Sequence, residues 1–254
     1  MNPMPSGGFR WLRAGEHETL DWKGMSEDQP VGYMVECDLE YPEELHESHN
    51  DYPLAPERVN VQVQMTSETQ VELLTHYRIP NNSWNLKLVP NLMKKSHYLV
   101  HYLNLKFYLE HGLRLVGVHR VLAFTQSKWL QPYIEKNTAL RSVAKNEFAK
   151  DFFKLMNNSI YGKTCENQKK RTDIKLVTTE EKCKRLTEKP HCLGFRVFDE
   201  TLAGVEMRKL RTMIDKPFYV GFCVLELSKL HMYRCVGIFF LFSNTLPLFS
   251  SHSC

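Results

Sequence analysis

No two of the seven cysteines in this chain of 254 residues form a CxxC pair; they stand at positions 37, 165, 183, 192, 223, 235 and 254 without a repeating spacing. That pattern excludes a zinc ribbon and a disulfide framework, and reduced intracellular thiols are the simplest reading. Long apolar runs are missing as well. The opening MNPMPSGGFRWL has no apolar core of the kind a secretory leader needs. The most apolar stretch, CVGIFFLFSNTLPLF, carries an internal proline and is fifteen residues long, where a spanning helix needs about 20. No membrane anchor is therefore expected. Internal repeats and low-complexity runs are also missing, and 43% hydrophobic content is enough for one large core or two small ones. Basic residues are scarce in residues 16–57, where thirteen Asp or Glu face Lys23 alone, whereas residues 126–175 hold eleven Lys or Arg against five acids. Such a division suits cations held in one place and phosphates in another, and it equally suits solvated faces of opposite sign. Beyond Glu226 there is no acidic residue at all.

The periodicities predict a mixed fold. VGYMVE at 31–36 reads as a strand running into CDLEYP, and VNVQVQM at 59–65 alternates as a half-buried strand does. Turns fill the stretch between them. Leu99, Tyr102, Leu105 and Leu109 are spaced for an amphipathic helix from Ser96 to His111, stopped by Gly112. A strand, LVGVHRVLAF, is expected next, then a long helix from about Ala139 to Tyr161 with Gly162 as its stop. Further on, LGFRVFDETLAGVEM reads as a hairpin or strand pair, and PFYVGFCVLELSKLHMY as an apolar strand or helix start leading into a helix.

On the long helix, Lys150, Lys154, Asn158 and Tyr161 fall within about 80° of one another. Phe148, Phe152 and Leu155 fall about 140–200° from Lys150 and are expected to be the packing face. Two lysines one turn apart, with an asparagine and a tyrosine beside them, suit a polyphosphate and a flat base. On composition alone the plainer reading, a solvated lysine face, is the stronger. Gly162-Lys163-Thr164 is not a phosphate loop, because position 157 is Asn where that motif requires Gly. His97 and His101 have helical spacing, but Tyr98 stands where a zinc-protease helix carries its glutamate. That pair and His46 with His49 are expected to be surface or core histidines.

KLMNNSIYGK, residues 154–163, resembles motif B of family B DNA polymerases: Lys, three residues, Asn-Ser, one residue, Tyr-Gly. The resemblance implies a fingers helix in which Lys154 holds the triphosphate of the incoming dNTP and Asn158 and Tyr161 line the nascent base pair. Gly162 would allow close backbone approach, and Lys150 would be a second phosphate contact. VECDLEYPEEL, residues 35–45, is similar to motif A, in which a strand-end aspartate binds two magnesium ions and a tyrosine excludes ribonucleotides; Tyr41 and Pro42 fit that ending. Longer phrases, DLEYPEELHESHNDYPLAPE among them, look like the polymerases of Maverick or Polinton transposons, in the protein-primed, organellar and viral branch. The resemblance covers roughly residues 5–233.

Two departures bear on chemistry. The motif A aspartate usually lies five residues before the tyrosine, where this chain has Glu36, while Asp38 lies three before. If the strand continues that far the two share a face. Asp38 is expected to be the catalytic and metal-binding residue, with Glu36 the alternative. The family's second carboxylate source, Asp-Thr-Asp, should follow LSKLHMY, and the residues there contain no acid. Two-metal transfer needs both sources, so the Mg2+ site is expected to be incomplete.

The resemblance implies an α/β (α+β) chain, an incomplete right hand with a palm sheet and helical fingers and without a thumb or exonuclease domain. Asp38-Leu39-Glu40 could mimic an exonuclease DxE, but the following Tyr-Pro favours motif A. Residues 1–66 would be the first part of the palm, 67–125 an insertion, 126–165 the fingers, 166–233 the second part of the palm, and 234–254 a divergent apolar tail. The implied partners are template and primer DNA, dNTPs and a terminal priming protein, with no membrane. The implied location is intracellular, and nuclear for a host-encoded transposon product. The leading reading is a catalytically incomplete DNA polymerase; the alternative is a transposon-derived protein that binds DNA or nucleotides without catalysis.

Overall fold

The computed structural model describes residues 2–62, 65–78 and 86–243, with the backbone alone for residues 236–243. The chain divides into two compact units, Met1–Tyr133 with Cys223–Cys254, and Ile134–Phe222.

The first unit is built on a four-stranded antiparallel sheet of order β1-β6-β2-β5, comprising β1 (Met4–Trp11), β2 (Val31–Glu40), β5 (Lys95–His101) and β6 (Arg114–Ser127). The period of two in β2 buries Val35, Cys37 and Leu39 completely on one face and leaves Glu36 and Asp38 on the other. The strand does continue past Glu36, so the two carboxylates share a face. The buried face packs on α3 (Tyr102–Glu110), which hides Tyr102, Leu105 and Tyr108. After α3 the chain turns at Gly112, whose φ of +94° is open to glycine and strained for other residues. Helix α7 (Phe218–Ser243) lies on α3 from Cys223 onward. The carboxylate of Glu226 accepts from the His101 amide (3.1 Å) and the Asn104 side chain (2.8 Å), and Tyr233 stacks on Phe107 at 5.8 Å.

A two-stranded ribbon, β3 (Glu57–Asn60) with β4 (Leu86–Val89), completes this unit with the short α1 (His46–His49) and α2 (Glu68–His76). Lys95 is fully buried and donates to Glu57 at 2.9 Å, to the Asn91 carbonyl at 3.2 Å and to the Asn91 side chain. Burial pulls its pKa down, and the Glu57 carboxylate opposes that pull.

The second unit holds α4 (Gln131–Ser142), α5 (Glu147–Thr164) and a three-stranded antiparallel sheet of order β7-β9-β8. The strands are β7 (Asp173–Val177), β8 (Cys192–Asp199) and β9 (Leu202–Met207), with α6 (Glu180–Thr187) covering Val177, Val205 and Met207. The hairpin expected at 193–207 is β8 and β9.

Three expectations are corrected. Only Tyr102–Glu110 of the stretch 96–111 is helical. Its first part is strand β5, paired with β2, and the helix starts from His101, whose ring accepts the Leu103 amide at 3.4 Å. The strand expected at 59–65 is paired only over Glu57–Asn60; Met65 is outside any strand, and residues 63–64 lie outside the described residues. The long helix is two helices, divided where Asn146 caps the second by accepting the Ala149 amide at 2.7 Å, and Gly162 lies inside α5 rather than ending it. Of the two forms expected for the stretch from Phe218, the helical one is found, since its buried Val220, Cys223, Leu227, Leu230 and Tyr233 recur every three or four residues. Among the described residues no helix is long and apolar enough to cross a membrane.

Candidate active site

Bulges build the carboxylate face. Along β6 the register against β2 moves from Glu36↔Arg120 to Cys37↔Val118, so His119 is an extra residue. A bulge breaks the alternation, and His119 and Arg120 both reach the same face. The Arg120 guanidinium donates to Glu36 at 2.6 Å, and His119 pairs with Asp38 at 2.9 Å. Along β5 two residues, Ser96 and His97, are accommodated opposite the single residue Asp38. His97 adopts φ of +51°, a left-handed conformation uncommon for a residue with a side chain. In that conformation its amide donates to Asp38 Oδ1 at 2.8 Å, while its ring meets Glu36 Oε1 at 2.9 Å and stacks on His119 at 4.0 Å.

Both carboxylates are thereby held ionised. The Arg120 hydrogen bond, followed by that of His97, lowers the pKa of Glu36; His119, followed by the His97 amide, lowers that of Asp38. Beneath them the Cys37 thiol is pushed up to about 12 by burial and by the two neighbouring charges. Trp11, 59% exposed, lies under Arg120 at 5.8 Å.

Magnesium prefers carboxylate and water oxygens in octahedral array. Three of the four carboxylate oxygens here already accept from Arg120, His97 or His119, and only Asp38 Oδ2 has no partner among the described residues. No group of three or more His, Cys, Asp or Glu among the described residues is arranged to hold a metal ion. The donor set as arranged offers one oxygen to an ion and does not make a two-ion centre. No reaction step is derived through one.

Tyr41 follows directly. It is buried, its hydroxyl lies 2.7 Å from His49 Nδ1 and accepts the Leu54 amide at 3.2 Å, and its ring meets His46 and His49 edge-on. Burial raises its pKa.

The other expected site residues lie on α5 in the second unit. Lys154, Asn158, Tyr161 and Gly162 are all exposed; Lys150 is half-buried and paired with Glu147 at 2.8 Å. The expected packing face is not the one used. Phe148, Phe152 and Leu155 are 81%, 47% and 64% exposed, while the less exposed stripe runs through Ala149, Phe153, Met156, Ile160 and the buried Thr164. Where Asn157 donates to Thr138 of α4 at 3.5 Å, the helix partner is identified. The polar stripe, about 20–80° on the wheel, is therefore adjacent to the packing stripe at about 240–340° and used by neither packing nor capping. A Cβ at Gly162 would meet nothing within 4 Å.

His97, His119 and Arg120 were not legible as partners of the carboxylates. Their one trace in the sequence is the His-Arg pair inside LVGVHRVLAF, two polar residues together in an apolar strand. His101, the fellow of His97 in the expected helical pair, is instead buried.

The family described as DNA polymerase type B, organellar and viral, matches residues 1–202. Solved structures similar to the chain include phi29 DNA polymerase complexed with primer-template DNA, in a post-translocation binary complex, at 16% identity and a TM-score of 0.40. An orthorhombic crystal form of phi29 DNA polymerase is similar at 16% identity and a TM-score of 0.44. These matches cover 86% of this chain and 29% and 30% of those polymerases, so the chain spans under a third of their length. No curated protein matches it. With the family matched over most of its length, the chain belongs to the organellar and viral type B DNA polymerases.

Proposed function

We propose that this chain supplies the nucleotide-holding surface and one half of the carboxylate set of a template-directed DNA polymerase, which joins dNTPs to a primer 3′-hydroxyl. The observation that carries the reading is the α5 stripe. Lys154, Asn158, Tyr161 and Gly162 are exposed together on a helix whose packing uses other residues. Lys154 is placed to meet a triphosphate, Tyr161 to stack against a base, and Gly162 to let a ligand close on the backbone. The primer end would be a DNA strand or the hydroxyl of a terminal protein. Polymerases of this family generally use Mg2+, and Asp38 is the residue with an oxygen to offer. Because the remaining oxygens are occupied by Arg120, His97 and His119, the chain by itself is expected to bind dNTPs and to extend primers poorly or not at all.

A dNTP titration of the chain tests this. Lys154→Ala should weaken binding about tenfold, the loss of one charge-assisted contact. Unchanged affinity would favour the second reading, a binding protein without catalytic duty, for which the internally satisfied Glu36 speaks. Robust Mg2+-dependent extension, abolished in Asp38→Ala, would overturn the claim that the chain alone is incompetent.

Gly162 separates fold from function. A helix-interior glycine costs up to about 1 kcal/mol against alanine, and nothing obstructs a Cβ there. Gly162→Ala should therefore raise the denaturant midpoint while weakening dNTP binding. A gain in stability with unaltered binding would remove Gly162 from the site.

A further inference from the structure

The second unit carries a cleft unconnected with the α5 stripe. It opens where α6 ends and β9 runs out, has a volume of about 460 Å³, and is floored by Leu186 and the buried Met207. Lys175, Lys189, His191, Arg208, Lys209 and Arg211 line it, against the single carboxylate of Asp173. Asp173 is paired with Lys175 at 3.1 Å. Lys189, Arg208, Lys209 and Arg211 have no ion-pair partner among the described residues and are exposed. The cleft belongs to a cationic body, since residues 134–222 hold 19 Lys or Arg against 12 Asp or Glu, a net +7 in a chain of net +4.

The segment from Arg208 to Asp215, which carries this wall, is fixed at its two ends. The Arg208 amide donates to the His191 carbonyl at 2.8 Å. Asp215 is turned to Gln168, accepting from its side chain at 2.6 Å and donating its own amide at 3.2 Å. The nearby Arg171 is committed to Glu166. Asp215 and Arg171 are thus each held by another partner, and Lys189, Arg208, Lys209 and Arg211 keep no ion-pair partner among the described residues.

We propose that this cleft is a binding site for the phosphodiester backbone of a nucleic-acid strand. A small anion calls for donors converging on one point, often backbone amides, and here the Arg208 amide is already used and the floor is apolar. The cations are instead spread along two walls. From Arg208 to Arg211 the chain covers at most about 10 Å, against a rise of about 3.4 Å along the duplex axis for each phosphate of one strand. No Phe, Tyr, Trp, Asn or Gln lines the cleft, and its exposed cations are of the kind that contact phosphates and position a backbone. The polymerase reading enters only in naming DNA as the strand.

The test is the salt dependence of binding to a labelled mixed-sequence DNA duplex by the whole chain. Changing Lys189, Arg208, Lys209 and Arg211 to Gln should make the slope of log K against log salt shallower by about 3.6, or about 2.8 for a single strand, at 0.9 and 0.7 per phosphate contact. A control with the same charge loss, Lys182→Gln, Lys184→Gln, Arg185→Gln and Arg196→Gln, should alter the slope by less than about 1. An unchanged slope in the first variant, or equal changes in both, would overturn the site, the latter showing a diffuse field. Displacement of the duplex by inorganic phosphate at constant ionic strength would show a small-anion site instead and overturn the assignment to a strand. Melting of both variants by circular dichroism should match the parent. The dNTP titration of Lys154→Ala reads α5 and not this cleft, so either proposal can fail while the other stands.

Discussion

Changing Lys229 to Met is expected to lower the folding free energy by about 3 kcal/mol, the cost of leaving one member of a buried ion pair without the other. Glu226 is 5% exposed; Lys229, 24% exposed at its side chain, donates to it at 2.5 Å and to the Tyr98 hydroxyl at 3.3 Å. The His101 amide and the Asn104 side chain donate to the same carboxylate, which keeps the loss from being larger. Adding Glu226→Gln to Lys229→Met should restore at least about 1 kcal/mol, because the amide can still accept from His101 and Asn104 and no longer buries a charge. Urea titration of the parent, both single variants and the double variant gives the coupling. Strict additivity would mean that the pair contributes nothing through its charge. The effect would also reach the candidate site, since β5 carries both His101, which donates to Glu226, and His97, which holds Asp38.

What the sequence revealed depended on whether one period governed a segment. From Val35 to Glu40 β2 keeps a period of two, so the shared face of Glu36 and Asp38 followed from spacing alone. The α5 stripe followed from the helical period, together with the motif that gave its residue types a purpose. Where periods meet, the reading failed. Leu99 belongs to a strand and Tyr102, Leu105 and Leu109 to a helix, yet the four fit one helical series across the junction at His101. The partners of the carboxylates were hidden for a related reason, because an extra residue in β6 and another in β5 shift which side chains face which way. Amphipathicity likewise does not say which apolar stripe a neighbour will use: α5 has two, and the one with Phe148, Phe152 and Leu155 is exposed. Family resemblance added roles that spacing could not supply, and the hydrogen bonds around Glu36 show how that local pattern has been filled in this chain.

Acidification should expose the second large effect. His101 is completely buried, between Tyr102 at 4.6 Å and Phe124 at 6.3 Å, and burial lowers its pKa from 6.5 to about 3. The folded chain therefore takes up no proton there until about pH 3, while the unfolded chain does so near pH 6.5. With the unfolded state binding more protons in that window, stability is fully present above about pH 6.5 and is lost as pH falls toward 3, by up to about 1.4 kcal/mol per pH unit. Roughly 2 kcal/mol of the loss should appear between pH 7 and pH 5. Glu36 and Asp38, whose folded pKa values are also lowered, add to the acid loss in the same direction at lower pH, so the single site must be isolated by difference. His101→Asn does this: asparagine can accept the Leu103 amide as the cap of α3 and has no proton to gain. The variant is expected to start less stable at pH 7, because a smaller side chain leaves space in the core, and to lose about 2 kcal/mol less than the parent on going to pH 5. Urea midpoints across that range measure the difference. Parallel curves for the two proteins would show that His101 is protonated equally in the folded and unfolded states, contrary to its burial.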